Sequence, residues 1–229
     1  MHVPDLSQPR ERIVVRSKYR LFYLLEFGFG ARKQIFITFG PWVLIRVYEL
    51  PAASIAGLLM TASLIGIVFK PLAGMAIDRF GERRVMILDG VVLALVCIGY
   101  GYALKICDDA GNARLVACAC FIADDLLFAL GSARAVYLSR LTDSAGEITS
   151  TLALGISVNH VASMTIPMVA GAIWVGFGFE RVFLAAAGLA LGISALSTFV
   201  PRKETRRPLD REIASIATEE TEIQESLMD

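Results

Sequence analysis

Long apolar runs alternate with short polar stretches along this chain. An apolar run of roughly 18–20 residues matches the ~30 Å hydrocarbon core of a bilayer, because a helix rises 1.5 Å per residue. The pattern predicts six transmembrane helices, at 20–47, 53–77, 85–104, 115–138, 149–177 and 182–200. The connections are short and carry turn residues, such as the Asp-Asp-Ala-Gly-Asn stretch at 108–112. We therefore expect an all-α integral membrane protein.

Composition supports this class and limits the number of spans. The chain has 229 residues, 55% of them apolar and 19% charged, whereas a soluble domain is near 45–50% apolar and about 25% charged. Twelve helices of ~20 residues would need ~240 residues without loops, more than the chain has. A fold of twelve spans would therefore need a second chain, or this chain is one half of something larger.

Charge placement predicts the orientation and the domain organisation. With six spans, both ends of the chain and the second and fourth loops share one side, which carries fourteen basic residues against four on the other. The positive-inside rule then places both termini in the cytoplasm. We expect a basic cytoplasmic arm at 1–18, without the apolar core of a signal peptide, a membrane bundle at 19–200 and an acidic-ended cytoplasmic tail at 201–229.

Polar residues inside the spans are the candidates for function, since an ionisable group at membrane depth costs at least ~2.5–3.5 kcal/mol. They concentrate in the first, fourth and fifth spans, which predicts a polar cavity lined by those helices. In the third span only Asp89 appears, close enough to the cytoplasmic end to reach water. The pathway candidates are Glu26, Arg32, Lys33, Gln34, Asp124, Asp125, Asn159 and His160.

Depth along the helices sharpens these candidates. Arg32 lies ~18 Å from the start of the first span and Asp124 ~13 Å from the start of the fourth, so both are near the bilayer centre. Their opposite signs predict pairing, either direct or through a substrate. The adjacent Asp124 and Asp125 cannot both face the cavity centre. The alternative is a satisfied ion network that fixes packing, and for His160 the choice is between hydrogen-bonded packing and a proton relay.

The loop between the second and third spans carries an ordered motif. It reads Gly74-Met-Ala-Ile-Asp78-Arg79-Phe-Gly81-Glu-Arg83-Arg84. Gly74 is expected to permit close helix contact, Gly81 to allow a tight reversal, and the three arginines to hold the loop in the cytoplasm. This motif resembles the cytoplasmic signature of the major facilitator superfamily, Gly-x-x-x-Asp-Arg/Lys-x-Gly-x-Arg/Lys-Arg/Lys, at every fixed position.

The resemblance implies a fold and residue roles. Over about residues 10–200 the chain resembles the C-terminal six-helix half (helices 7–12) of uncharacterised bacterial members. This implies a bacterial plasma (inner) membrane. The first and fourth spans would then line the cavity, and the third and sixth would be peripheral. In the family the loop is thought to latch helices, so Asp78 would be the latch acid and Arg134 a possible partner. The first six helices of the family are missing from this chain.

Other classes find little support. The chain has no Gly-x-Ser-x-Gly nucleophile turn, no His-Glu-x-x-His zinc motif and no nucleotide-binding loop, so we expect no enzyme activity, no cofactor, no metal and no nucleic-acid partner. Four cysteines, at 97, 107, 118 and 120, lack metal-ligand spacing.

Taken with the resemblance, these features lead to one functional expectation. We expect a secondary active transporter, or its C-terminal half, that moves a small solute by alternating access. Arg32 or Lys33 favours an anionic solute, and Asp124 or Asp125 is the candidate for proton coupling. The expected partners are the lipid bilayer, the small-molecule substrate, and a second six-helix half or a second copy of the chain. The alternative is a non-transporting membrane subunit or a truncated remnant of a twelve-span transporter.

Overall fold

The structure is a computed structural model that describes residues 16–142 and 145–201. A short 3-10 helix, Ser17–Tyr19, leads into a series of long helices. In chain order these are α1 (Arg20–Arg46), α2 (Ala52–Phe80), α3 (Glu82–Ile106), α4 (Ala110–Leu127), α5 (Ser132–Leu141), α6 (Ala145–Phe177) and α7 (Phe179–Ser197). A 3-10 segment, Phe128–Gly131, joins α4 to α5.

The described helices make six long rods at the positions of the six expected spans, since α4, the 3-10 segment and α5 together make one rod, Ala110–Leu141. Five of the rods are long and apolar enough to cross a membrane. The sixth is α1, which is 27 residues long and carries Glu26, Arg32 and Lys33. The chain is therefore an all-helical integral membrane protein, as the hydrophobic pattern predicts.

The helices extend beyond the apolar runs at several ends, because polar end turns continue the helix. The fourth span, for example, begins at Ala110 rather than at 115. Asp109 caps it by accepting a hydrogen bond from the backbone N–H of Asn112 at 3.0 Å, which satisfies one of the free donors of the first turn. The sequence gives no sign of the 3-10 break at Phe128–Gly131, which lies in the middle of an apolar run.

Close backbone approach at two glycines holds the main helix pairs together. An added Cβ at Gly30 of α1 would clash with the backbone oxygen of Asn159 in α6. An added Cβ at Gly90 of α3 would lie 2.7 Å from the backbone oxygen of Ala190 in α7. Beside the second crossing, the Ser194 hydroxyl donates to the Ile87 carbonyl at 3.0 Å. Small residues thus let α1 lie on α6 and α3 on α7.

The turn between α2 and α3 contains a single residue outside the helices, Gly81. Its φ of +84° is a conformation that side chains with a Cβ rarely adopt. The tight reversal expected at Gly81 is therefore present. The close contact expected at Gly74 is wrong for the described part of the chain, where no atom lies within 4 Å of an added Cβ at that residue.

A glycine substitution tests the α1–α6 crossing. We expect Gly30→Ala to lower the melting temperature in mild detergent, by the equivalent of about 1–3 kcal/mol, because overpacking forces two backbones apart. Gly171→Ala in α6 is the matched control, since nothing in the described residues lies within 4 Å of its added Cβ. Equal melting temperatures for the two variants would contradict the crossing.

Candidate functional site

Charged side chains from three rods and one amide side chain from a fourth meet inside the bundle and form what we name the charge cluster. Its members are almost fully enclosed: Arg32 is 2% exposed, Asp124 4%, Glu26 8% and Asp89 9%. Arg134 of α5 and Asn159 of α6 complete the set and are partly buried. The cluster thus joins the first, third, fourth and fifth spans at membrane depth.

Arg32 lies at the centre of this cluster between two carboxylates. Its Nη1 is 3.4 Å from Oδ2 of Asp89, and its Nη2 is 3.5 Å from Oδ1 of Asp124. The rings of Phe29 and Phe128 flank the guanidinium, with centroids 5.5 Å and 5.3 Å from Cζ. The expected pairing of Arg32 with Asp124 is therefore direct, and aromatic faces add attraction for the cation.

Arg134 and Glu26 form a second, shorter pair. Nε of Arg134 is 2.8 Å from Oε1 of Glu26, and its guanidinium lies 3.5 Å from the centroid of the Phe29 ring. The Asn159 side chain donates to Oε2 of Glu26 at 3.3 Å. In this structure Arg134 is therefore held by Glu26, whereas the latch hypothesis suggested Asp78 as its partner.

Asp89 is the clearest correction to the sequence prediction. It was expected to reach water near the cytoplasmic end of the third span, but it is buried and contacts Arg32. The close contact at Gly90 fixes how α3 is rotated against α7. In this rotation the neighbouring Asp89 faces α1. The predicted position of Asp89 along the helix was correct, but the sequence did not show which side of the helix carries it. A carboxylate inside an otherwise apolar helix was the one available signal.

The other predicted pathway residues lie around the cluster and are more open. Lys33, Gln34 and Asp125 are half-buried, and His160 is exposed. Lys33 follows Glu26 by seven residues, which places both on the same face of α1. Neither Lys33 nor Asp125 makes an ion pair with any residue in 16–142 or 145–201. The adjacent aspartates are thus divided, with Asp124 inside the bundle and Asp125 at its surface.

The motif of residues 74–84 lies at the end of α2 and the start of α3. Asp78, Arg79 and Arg84 are exposed, and Arg83 is half-buried. The guanidinium of Arg79 lies 5.7 Å from the Phe80 ring centroid. Within the motif, Glu82 at the start of α3 forms an ion pair with Arg140 near the end of α5 at 3.0 Å, and the sequence analysis missed this contact between the third and fourth spans.

A small cavity lies beside Arg32 within the bundle, and we name it the Arg32 cavity. Its volume is about 10 Å³, and its walls include Phe29, Arg32, Asp89, Leu93 and Arg134. That volume is near the minimum needed for one water molecule. Within the described ranges, no group of three His, Cys, Asp or Glu residues could hold a metal ion.

Helices of membrane-spanning length, packed around buried charge pairs, are typical of a multi-pass membrane protein. The chain matches the family model of the Major Facilitator Superfamily over residues 22–225, so it belongs to this family of membrane transporters, which is generally non-enzymatic. A comparison with curated proteins finds no match.

Removing one member of the short buried pair tests the energetics of the cluster. We expect Glu26→Gln to cost about 3–5 kcal/mol of stability, because Arg134 would keep a buried charge without its counter-ion. The measurement is the melting temperature in mild detergent. The control is Lys105→Gln, which removes an exposed pair with Glu180 at 3.3 Å and is expected to cost less than about 1 kcal/mol. Equal losses would contradict this account.

Proposed function

We propose that this chain is the C-terminal six-helix half of a secondary active transporter in a bacterial inner membrane. In this proposal both termini are cytoplasmic, and the chain moves a small solute by alternating access together with a second six-helix half or a second copy of itself. The observation that carries the proposal is the presence of open polar groups around a buried charge cluster at membrane depth. Such groups are costly against lipid and suit a water-filled cavity.

The exposed surfaces of the helices support a division between a lipid face and a polar face. The exposed large side chains in the middle of α3 and of α7 are apolar, as at Leu88, Leu95 and Leu191, and the exposed charges of these two helices lie near their ends. By contrast, α4 and α6 bring Asp125 and His160 to the surface. Lipid can cover the first kind of surface, and the second needs water or protein. A second six-helix unit over the polar face would enclose the cavity.

Lys33 is the better candidate for binding an anionic solute. Arg32 already faces two carboxylates and is 2% exposed, so its charge is neutralised inside the bundle. Lys33 is half-buried, lies at the middle of α1 and has no counter-ion in the described part of the chain. A flexible ammonium of this kind can bind a carboxylate or phosphate group. Asp124 and Asp125 remain the candidates for coupling to protons.

The alternative function is a non-transporting membrane subunit or a remnant of a twelve-span transporter. One observation favours it, since Arg32 and Arg134 are already paired with carboxylates and need no solute for charge balance. In that case the cluster would act only in packing. The two functions differ in whether water reaches the polar face and whether solute moves.

Cysteine labelling tests the water-filled cavity. In a background without the four native cysteines, we expect Asp125→Cys and His160→Cys to react with a membrane-impermeant maleimide in native membrane vesicles. Leu95→Cys is the control, since Leu95 is 64% exposed and is expected to face lipid. The expected rates differ by at least about tenfold, because thiolate forms in water and not in hydrocarbon. Equal labelling of all three positions would contradict the cavity.

Transport by the assembly purified from native membranes tests the choice of solute. In proteoliposomes with an imposed pH gradient, we screen small carboxylates, phosphate, neutral sugars and amines. We expect flux of anions only, and a loss of about tenfold or more in Lys33→Gln, since a hydrogen bond to a charged group is worth about 1.5–3 kcal/mol. Lys105→Gln should leave the flux unchanged. Flux that ignores the pH gradient would remove proton coupling, and absence of flux for every solute would favour the alternative.

A further inference from the structure

The charge cluster does not balance when every member is ionised. Three buried carboxylates, those of Glu26, Asp89 and Asp124, face the two guanidiniums of Arg32 and Arg134. The net charge would be −1 inside a medium where an uncompensated ion is strongly disfavoured. A carboxyl group in such a place takes up a proton instead.

The neighbouring helices do not supply the missing positive charge. The ammonium of Lys70 on α2 is exposed, that of Lys33 on α1 is half-buried, and no ion pair joins either of them to the cluster in the described ranges. On α7, Ser194 is neutral and bonds to the Ile87 carbonyl. Other titratable groups on the helices around the pair include two thiols, a phenol, a further carboxylate and an exposed imidazole, at Cys97, Cys120, Tyr100, Asp125 and His160.

The distances indicate which carboxyl groups hold the proton. Glu26 has a full ion pair at 2.8 Å and a second donor in Asn159. Asp89 and Asp124 divide one guanidinium between them, at 3.4 Å and 3.5 Å. These are longer than the ~2.7–2.9 Å of a strong charged hydrogen bond. Two carboxylates at one site do not both ionise readily.

Two unpartnered atoms belong to residues that line the same cavity. In the described structure, Nε of Arg32 and Oδ1 of Asp89 are buried and have no hydrogen-bond partner. Both residues line the Arg32 cavity, which has room for about one water molecule. A water there would accept from the Arg32 donor and donate to the Asp89 acceptor.

We propose that the Asp89–Asp124 pair at Arg32 holds one exchangeable proton, and that a single water in the Arg32 cavity exchanges this proton with Asp89. As a coupling site this inference rests on the proposed transport function, but the proton balances the cluster whether or not the chain transports. Arg134 also lines the cavity, and it donates to Glu26, the third buried carboxylate of the cluster. Glu26 is ~9 Å along α1 from Arg20.

Infrared spectroscopy of the protein in lipid tests the proton directly. Spectra are recorded between about pH 5 and about pH 9. Ordinary carboxyl groups lose their protons below this range, so a carboxyl that is still protonated at neutral pH stands out. We expect wild type to show a protonated, buried carboxyl at neutral pH. Asp89→Asn and Asp124→Asn should each lose that band completely, because each variant balances the cluster without a proton. Asp125→Asn is the matched control and should keep it.

The melting temperature gives an independent measure. Loss of the proton leaves a buried negative charge, so the melting temperature of wild type should fall as pH rises through the titration of the band. Asp89→Asn should remove this dependence and Asp125→Asn should keep it. If one of the two cluster variants fails to fold, the other variant tests the proposal. If both fail, the presence or absence of the carboxyl band in wild type tests it.

Three results would overturn the proposal: no protonated carboxyl in wild type, a band that persists in both cluster variants, or stabilisation by Na⁺ at constant ionic strength without a band. The last result would indicate a bound cation instead of a proton. Transport that ignores a pH gradient, with the band intact, removes the coupling role and supports the proton site. Proton-driven transport with the band unchanged in both variants would contradict a proton at Asp89 and Asp124 and would still support the proposed transport function.

Discussion

The rest of the structure depends on the placement of one guanidinium in the buried interior of a helix bundle. Arg32 is held between Asp89 and Asp124 and flanked by two phenylalanine rings. A charge in this position is tolerated only when its counter-ions come from neighbouring helices, because a membrane offers none. The pairing therefore ties α1 to α3 and α4, and it fixes which face of each helix points inward.

Close packing makes this pairing possible. Gly30 lets α1 lie against α6, and Gly90 lets α3 lie against α7. With both helices fixed, Glu26 meets Asn159 and Arg134, while Asp89 meets Arg32. Removing the glycines would separate the charged groups from their partners, so packing and electrostatics in this bundle are not independent.

The imbalance of charge connects the architecture to transport. A cluster that is neutral only when it holds a proton changes its charge when the proton leaves, and its packing must respond. The 3-10 segment Phe128–Gly131 adjoins this point in the fourth span, and Phe128 contacts Arg32. Short 3-10 stretches within helices often mark hinges. A helix break beside a titratable pair is a suitable place for protonation to alter helix geometry.

The sequence alone determined the class of protein, the series of six helical rods and the family, because apolar run length and the loop motif are local properties of the chain. It also placed Arg32 and Asp124 at the same depth, since helical rise converts residue number into distance. Only the tertiary structure decided that Asp89 faces inward, that Arg134 pairs with Glu26 and that Gly74 has open space around it. Those facts depend on the rotation of each helix against its neighbours, which side-chain packing sets and residue spacing does not encode.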